Sequence, residues 1–284
     1  MRNWNVRRAR TGLLLTLGCF FSALAASAEE NYERYEERVY QAKSCLRDAR
    51  GEERCSEARL VVPYFPDAAW LNDFLAKEVI GRLGGQEAAG EAKGGAAAPE
   101  AGDYQALMNG KLLLSNQDGE AAKDGEETIY GDEFQGRLTF EGRYGSLLQY
   151  SFLSCGYGGG AAHGVCGIRN VALHIDARAI VPLAEILEGG LGGNAAQLAE
   201  RQESAYRAQL VKEKLFSPED SAGLDRFMEE WFHPNENWKI VQGGLAFSYS
   251  NYEAGPYSYG MPDVVVPKGA LTGIVKPEIL RLIP

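Results

Sequence analysis

Apolar and polar positions alternate along this chain with two periods, and the changes of period mark its elements. The segment NYERYEERVYQAKSC, residues 31–45, is polar and tyrosine-rich and leads to a turn at Arg50-Gly51. The return, CSEARLVVPYFP, alternates and then becomes continuously apolar, as a strand does when it enters a core. Together they predict a β-hairpin. Asp67 is a capping residue type, and DAAWLNDFLAKEVIGRL after it sets Trp70, Leu71, Phe74, Leu75 and Val79 on one helical face. That helix is expected to stop at Gly84-Gly85.

Residues 84–102, GGQEAAGEAKGGAAAPEAG, hold no large apolar side chain and read as a flexible insertion or seam, with a second polar stretch at 116–127. Strand character returns in EFQGRLTFEGRYG and SLLQYSFLS, an antiparallel pair joined at Tyr144-Gly145. After the loop CGYGGGAAHGVC, Val171, Leu173 and Ile175 alternate on a further strand, and Asp176 to Ile180 turns the chain back. Pro182 opens a short helix or strand end. Asn194 is predicted to cap a long helix reaching Leu215, and Leu224 to Phe232 is helical again. NWKIVQGGLAFSYSNYEAG and MPDVVVPKGAL close the chain as strands. The expected class is α+β, antiparallel sheets with inserted helices, in two subdomains at 29–102 and 103–284.

The compartment changes how the cysteines are read. Arg2, Arg7, Arg8 and Arg10 precede an apolar run from Gly12 to Ala25, and Ala26-Ser27-Ala28 offers a cleavage site, so residues 1–28 read as a secretory signal peptide. The rival reading is a lipoprotein anchored through Cys19. Processing after Ala28 leaves 256 residues, with 25 basic side chains against 39 acidic ones, a net charge near −14. Such a surface repels nucleic acid and anionic lipid and attracts basic partners. No membrane span is expected after processing. Cys45 and Cys55 have nine residues between them, Cys155 and Cys166 ten. In an oxidising compartment, local pairing into two disulfides is the simplest connectivity, each bridge contributing roughly 2–3 kcal/mol.

Candidate chemistry is thin. A phosphate loop would need a lysine and a hydroxyl residue after Gly164, where Val165-Cys166 stand. The dinucleotide fingerprint is met only loosely by Gly156, Gly158 and Ala161, and a strand follows where it needs a helix. His163, His174 and His233 have no metal-ligand spacing. No Gly-x-Ser-x-Gly elbow exists, and oxidised cysteines are not nucleophiles. Neither a catalytic residue, a metal nor a cofactor is assigned. The region SYSNYEAGPYSYGMPD gathers Tyr249, Tyr252, Tyr257 and Tyr259, with Glu253 and Asp263 nearby. Tyrosines in glycine- and proline-rich loops supply rigid contact area; two of the four are expected to pack on the sheet instead.

Several stretches resemble one family. They are the strand into Pro63-Tyr64-Phe65 with Leu71-Asn72 after it, the loop Tyr157-Gly158-Gly159-Gly160-Ala161-Ala162-His163-Gly164, and Asn170 with Asp176. The segment Leu183 to Leu187, then Gly244-Leu245-Ala246-Phe247, and Tyr252-Glu253-Ala254-Gly255-Pro256-Tyr257 with Gly260 complete the set. Over roughly residues 55–275 the chain is similar to the RsiV-like extracytoplasmic domains, found in anti-sigma factors and as accessory regions of some peptidoglycan deacetylases. The resemblance implies a two-part α+β module without enzymatic activity of its own, associated with the cell wall, whose anti-sigma members bind lysozyme. The chain shows no sigma-binding segment and no deacetylase domain, so signalling across the membrane is not expected.

The function expected from all of this is an exported, non-enzymatic binding protein of the cell envelope, with lysozyme binding or inhibition as its sharpest form. The alternatives are a peptidoglycan-associated structural module and a wall-modifying enzyme using unidentified carboxylates. The binding candidates are Tyr157, His163, Tyr252, Glu253, Tyr257 and Tyr259. In the glycine loop, positive φ angles, close backbone approach and a disulfide are expected to make a rigid structural element, with His163 hydrogen-bonded across it.

Overall fold

The computed structural model describes residues 31–47, 53–84, 104, 108, 133–158 and 161–284. The segment from Asn31 to Pro284 is one compact unit. The expected signal peptide at 1–28, the stretch 84–102 beyond its first glycine, and the stretch 116–127 lie outside the described residues.

Six strands form the first sheet in chain order: β1 (Glu36–Arg47), β2 (Glu53–Tyr64), β3 (Glu133–Tyr144), β4 (Leu147–Tyr157), β5 (Val165–His174) and β6 (Ala179–Ile180). Every neighbouring pair is antiparallel except β2 and β3, which run parallel. Parallel neighbours require a long crossover, and here it contains helix α1 (Ala69–Gly84) together with the buried, helical Tyr104 and Met108. The sheet therefore draws strands from both sides of the glycine- and alanine-rich stretch. The Asn72 side chain ties α1 to the end of β2. Its Oδ1 accepts from the Phe65 N–H at 2.9 Å and its amide donates to the Phe65 carbonyl at 2.8 Å.

The second sheet has three antiparallel strands, β7 (Trp238–Val241), β8 (Gly244–Ser248) and β9 (Asp263–Pro267). Helices α2 (Leu183–Ile186), α3 (Leu191–Lys212), α4 (Ser221–Trp231) and α5 (Pro277–Leu280) accompany it. The fold is α+β, as the pattern predicts. Helix α3 begins three residues before the predicted cap: Gly189 and Gly190 take φ of 74° and 67°, reversing the chain early. Asn194 instead lies inside the first turn, where its amide donates to the carbonyls of Glu188 at 2.8 Å and Gly273 at 3.1 Å.

Two cores result. Leu60, Val62, Phe65, Leu71, Leu75, Leu148 and Tyr150 build the one beneath α1; Leu198, Tyr206, Leu210, Phe232, Trp238, Phe247 and Val266 build the other. Strand β4 serves both, because alternate residues point to opposite faces. Leu147 belongs to the second core and Leu148 to the first, and every residue from Leu147 to Phe152 is buried. This explains why LLQYSF lacks clean alternation. Gln149 within this run accepts the Ile240 N–H at 2.9 Å, a direct bond from β4 to β7.

Candidate functional site

Both cysteine pairs are bridged, Cys45 to Cys55 and Cys155 to Cys166. Each pair sits directly opposite across an antiparallel ladder, β1 to β2 and β4 to β5. The second bridge closes the hairpin whose tip carries the glycine loop. Tyr157 folds back on that tip, its hydroxyl donating to the Ala161 carbonyl at 2.9 Å. None of the described loop glycines, Gly156, Gly158 and Gly164, has a positive φ; that expectation is corrected for these three. Close approach is the operative reason at Gly164, where a Cβ would lie 3.0 Å from the Gly156 carbonyl oxygen. Gly159 and Gly160 lie outside the described residues.

The tyrosine loop docks along β5. The Asn251 N–H donates to the Cys166 carbonyl at 3.0 Å, the Cys166 N–H donates to Asn251 Oδ1 at 2.8 Å, and the Ile168 N–H donates to Ser250 Oγ at 3.3 Å. The loop turns tightly at Tyr252, whose φ of 67° lies in the left-handed region. Glu253 braces this turn, its carboxylate accepting the Ser250 N–H at 2.7 Å.

Docking brings the two loops together at His163. Its Nδ1 donates to the Gly164 carbonyl at 3.2 Å, which in the neutral ring leaves Nε2 to accept from the Tyr252 hydroxyl at 3.0 Å. The Tyr257 ring stacks on the imidazole, with centroids 3.8 Å apart and planes 15° apart. Tyr252 and Tyr257 remain 43% and 39% exposed. Of the expected binding residues, His163, Tyr252 and Tyr257 thus form one surface cluster. Tyr157 is engaged with its own loop, Glu253 supports the turn, and Tyr259 packs inward on Phe227 at 5.2 Å. Tyr249 is buried and its hydroxyl donates to Gln202 Oε1 at 3.1 Å. Tyr249 therefore belongs to the interior, and Tyr259 packs half-buried against it.

Beside the cluster lies a half-open cleft of about 780 Å³. Tyr252 and Glu253 line one part of it, and Glu230, Trp231 and the residues from His233 to Trp238 line another. Asn170, Asn235 and Asn237 also line it, as do Val181 and Leu183. Trp231, Asn235, Glu236 and Asn237 have no place among the residues expected from sequence. The available signal was the density of polar and aromatic residues around Pro234 in EEWFHPNEN.

The histidines occupy separate settings. His174 shares a 3.2 Å hydrogen bond with Ser146 Oγ and accepts the Ala177 N–H, whereas His233 lines the cleft. Among the described residues, the grouping with metal-ligand proximity is Cys45, Glu53 and Cys55. Its two sulfurs are joined to each other and offer no thiolate.

Residues 176–269 match a family model described as a protein of unknown function, DUF3298. The match contains the tyrosine loop and most of the cleft but not His163. Two solved structures share the fold. One is a DUF3298 family protein, PA4972, from Pseudomonas aeruginosa PAO1, with 19% identity, a TM-score of 0.60, and coverage of 88% of this chain and 97% of that one. The other is a member of the same family, BF2082, from Bacteroides fragilis NCTC 9343, with 17% identity, a TM-score of 0.63 and the same coverage. No curated protein matches the chain in sequence. Among the described residues no helix is long and apolar enough to cross a membrane.

Proposed function

We propose that this chain is an exported, non-enzymatic binding protein of the cell envelope, and that the His163–Tyr252–Tyr257 cluster is its recognition surface for a basic protein of lysozyme type. The observation that carries the reading is the stacked, hydrogen-bonded arrangement of three rings from two loops, held at the surface by a disulfide-closed hairpin. Exposed aromatic rings ordered before binding add contact area at little entropic cost. The net charge near −14 after processing supports attraction of a basic partner. The RsiV-like resemblance supports lysozyme in particular, and the two disulfides support an oxidising compartment outside the cytoplasm.

Mixing the processed protein with c-type lysozyme at low and moderate salt tests this. A complex is expected at low salt, weakened by added salt and by Tyr257→Ala. If no complex forms at either ionic strength, the lysozyme reading is rejected.

A further inference from the structure

The cleft beside the tyrosine–histidine cluster has two chemically different walls. Its asparagines are fully committed to the scaffold. Asn170 donates to the Asn237 carbonyl and to Ser248 Oγ and accepts from Ser151; Asn237 donates to the carbonyls of Ile168 and Ser248 and accepts from the Asn170 N–H. The stretch that leaves α4 is the reverse. Glu230, Trp231, His233 and Glu236 all line the cleft, and among the described residues none of these four side chains makes a hydrogen bond, ion pair or ring contact. Trp231 is half-buried, so its ring is partly removed from water without an aromatic partner. A committed polar wall facing a half-buried indole, with exposed carboxylates and an imidazole at the rim that no other side chain occupies, is the arrangement of a ligand site.

The ligand class follows from what is left unpaired. Carboxylates accept from hydroxyl groups, the indole N–H and imidazole donate, and an indole face packs against apolar C–H groups. A molecule with C–H faces and a ring of hydroxyls satisfies all three. The charge at the lining narrows it further: Glu230, Glu236 and Glu253 stand against Arg169, which repels phosphates and uronates. The volume, about 780 Å³, falls in the range that encloses small-molecule ligands.

We infer that this cleft binds a short pyranose oligosaccharide, neutral or amine-bearing, with Trp231 as its stacking platform and Glu230 and Glu236 as acceptors for its hydroxyls. This site adjoins the ring cluster at His163, with Tyr252 at their shared edge, and its test does not depend on a protein partner.

Calorimetry and tryptophan fluorescence on the intact processed chain test it with three probes: the tetramers of N-acetylglucosamine, glucosamine and galacturonic acid. Saturable binding of the first or second is expected, with a change in tryptophan emission. Trp231→Ala should remove the emission change. Glu236→Gln, at an exposed position, should weaken binding about tenfold while leaving the melting temperature unchanged. The inference is overturned if neither of the first two probes binds, or if the galacturonic acid tetramer binds as well as they do. It is equally overturned if binding survives both substitutions, or if a lysine oligomer binds where the sugars do not.

Discussion

The backbone N–H of Asn170 donates to Oδ1 of Asn237 at 2.6 Å, and the Asn170 side-chain amide donates to the Asn237 carbonyl at 3.0 Å. These two residues interlock strand β5 of the large sheet with the entry to β7 of the small one. Ser248 and Asn235 extend the lock, since Ser248 Oγ accepts from Asn170 and its carbonyl accepts from Asn235 and Asn237. A polar junction of this kind holds only while its members stay paired.

Replacing Asn237 with alanine should therefore act on the whole protein rather than on one strand. The Asn170 N–H and the Ile168 carbonyl lose their side-chain partner. The expected loss is about 1–2 kcal/mol, because these half-buried groups border the cleft, where water partly replaces the lost bonds. Urea denaturation followed by circular dichroism measures it, and an unchanged midpoint would show that water replaces these bonds.

The folded, processed protein should present no free thiol before reduction, as a thiol reagent assay can show. Removing the Cys155–Cys166 bridge by paired serine substitution should cost about 3 kcal/mol in the chain-entropy account. The tyrosine loop rests on the Cys166 backbone, so faster amide exchange at Asn251 is expected in the same variant.

Tyr252→Phe removes the hydroxyl that bonds His163 Nε2 but keeps the ring. At this exposed site the melting temperature should hardly move, with a stability change within about 0.5 kcal/mol. Lysozyme affinity should fall by a few-fold, and by more in His163→Ala, which also removes the stacking partner of Tyr257. Binding titrations on the two variants give the ranking, and equal affinities for both and the parent would remove the cluster from the interface.

Alkaline pH should unfold the protein through its interior tyrosines. Burial raises the phenol pKa values of Tyr150, Tyr206 and Tyr249 above the ordinary value. An unfolded tyrosine ionises near about pH 10, so the unfolded chain loses its protons first. The contribution of these groups is complete below that pH and is lost as pH rises through the folded values. The urea midpoint should hold up to about pH 10 and then fall as pH rises further, and less steeply in a Tyr206→Phe, Tyr249→Phe double variant. A flat profile would contradict the assigned burial.

Local patterns were readable wherever a contact lies close in sequence. The β1–β2 hairpin, the Tyr144-Gly145 turn, the strand at Val171 to Leu173 and both disulfides were all legible, with the bridged cysteines only 10 and 11 positions apart. Helix α3 starts ahead of Asn194, although Asn194 has the chemistry of a cap. Two positive-φ glycines upstream settle the boundary, and a capping preference does not register them.

The residue string by itself determined the class of fold, the acidic surface and the sulfur pairing, because periodicity, charge and short loops are properties of neighbours along the chain. Tertiary structure alone decided that β2 runs beside β3 and that Tyr249 and Tyr259 turn inward while Tyr252 and Tyr257 meet His163. It alone assembled Glu230, Trp231 and Glu236 against β5 in one cleft. The physical reason is separation: His163 and Tyr252 are 89 positions apart, Asn170 and Asn237 are 67. Contacts over such distances arise only when two sheets pack, and no local preference of the residues involved encodes the partner each will find.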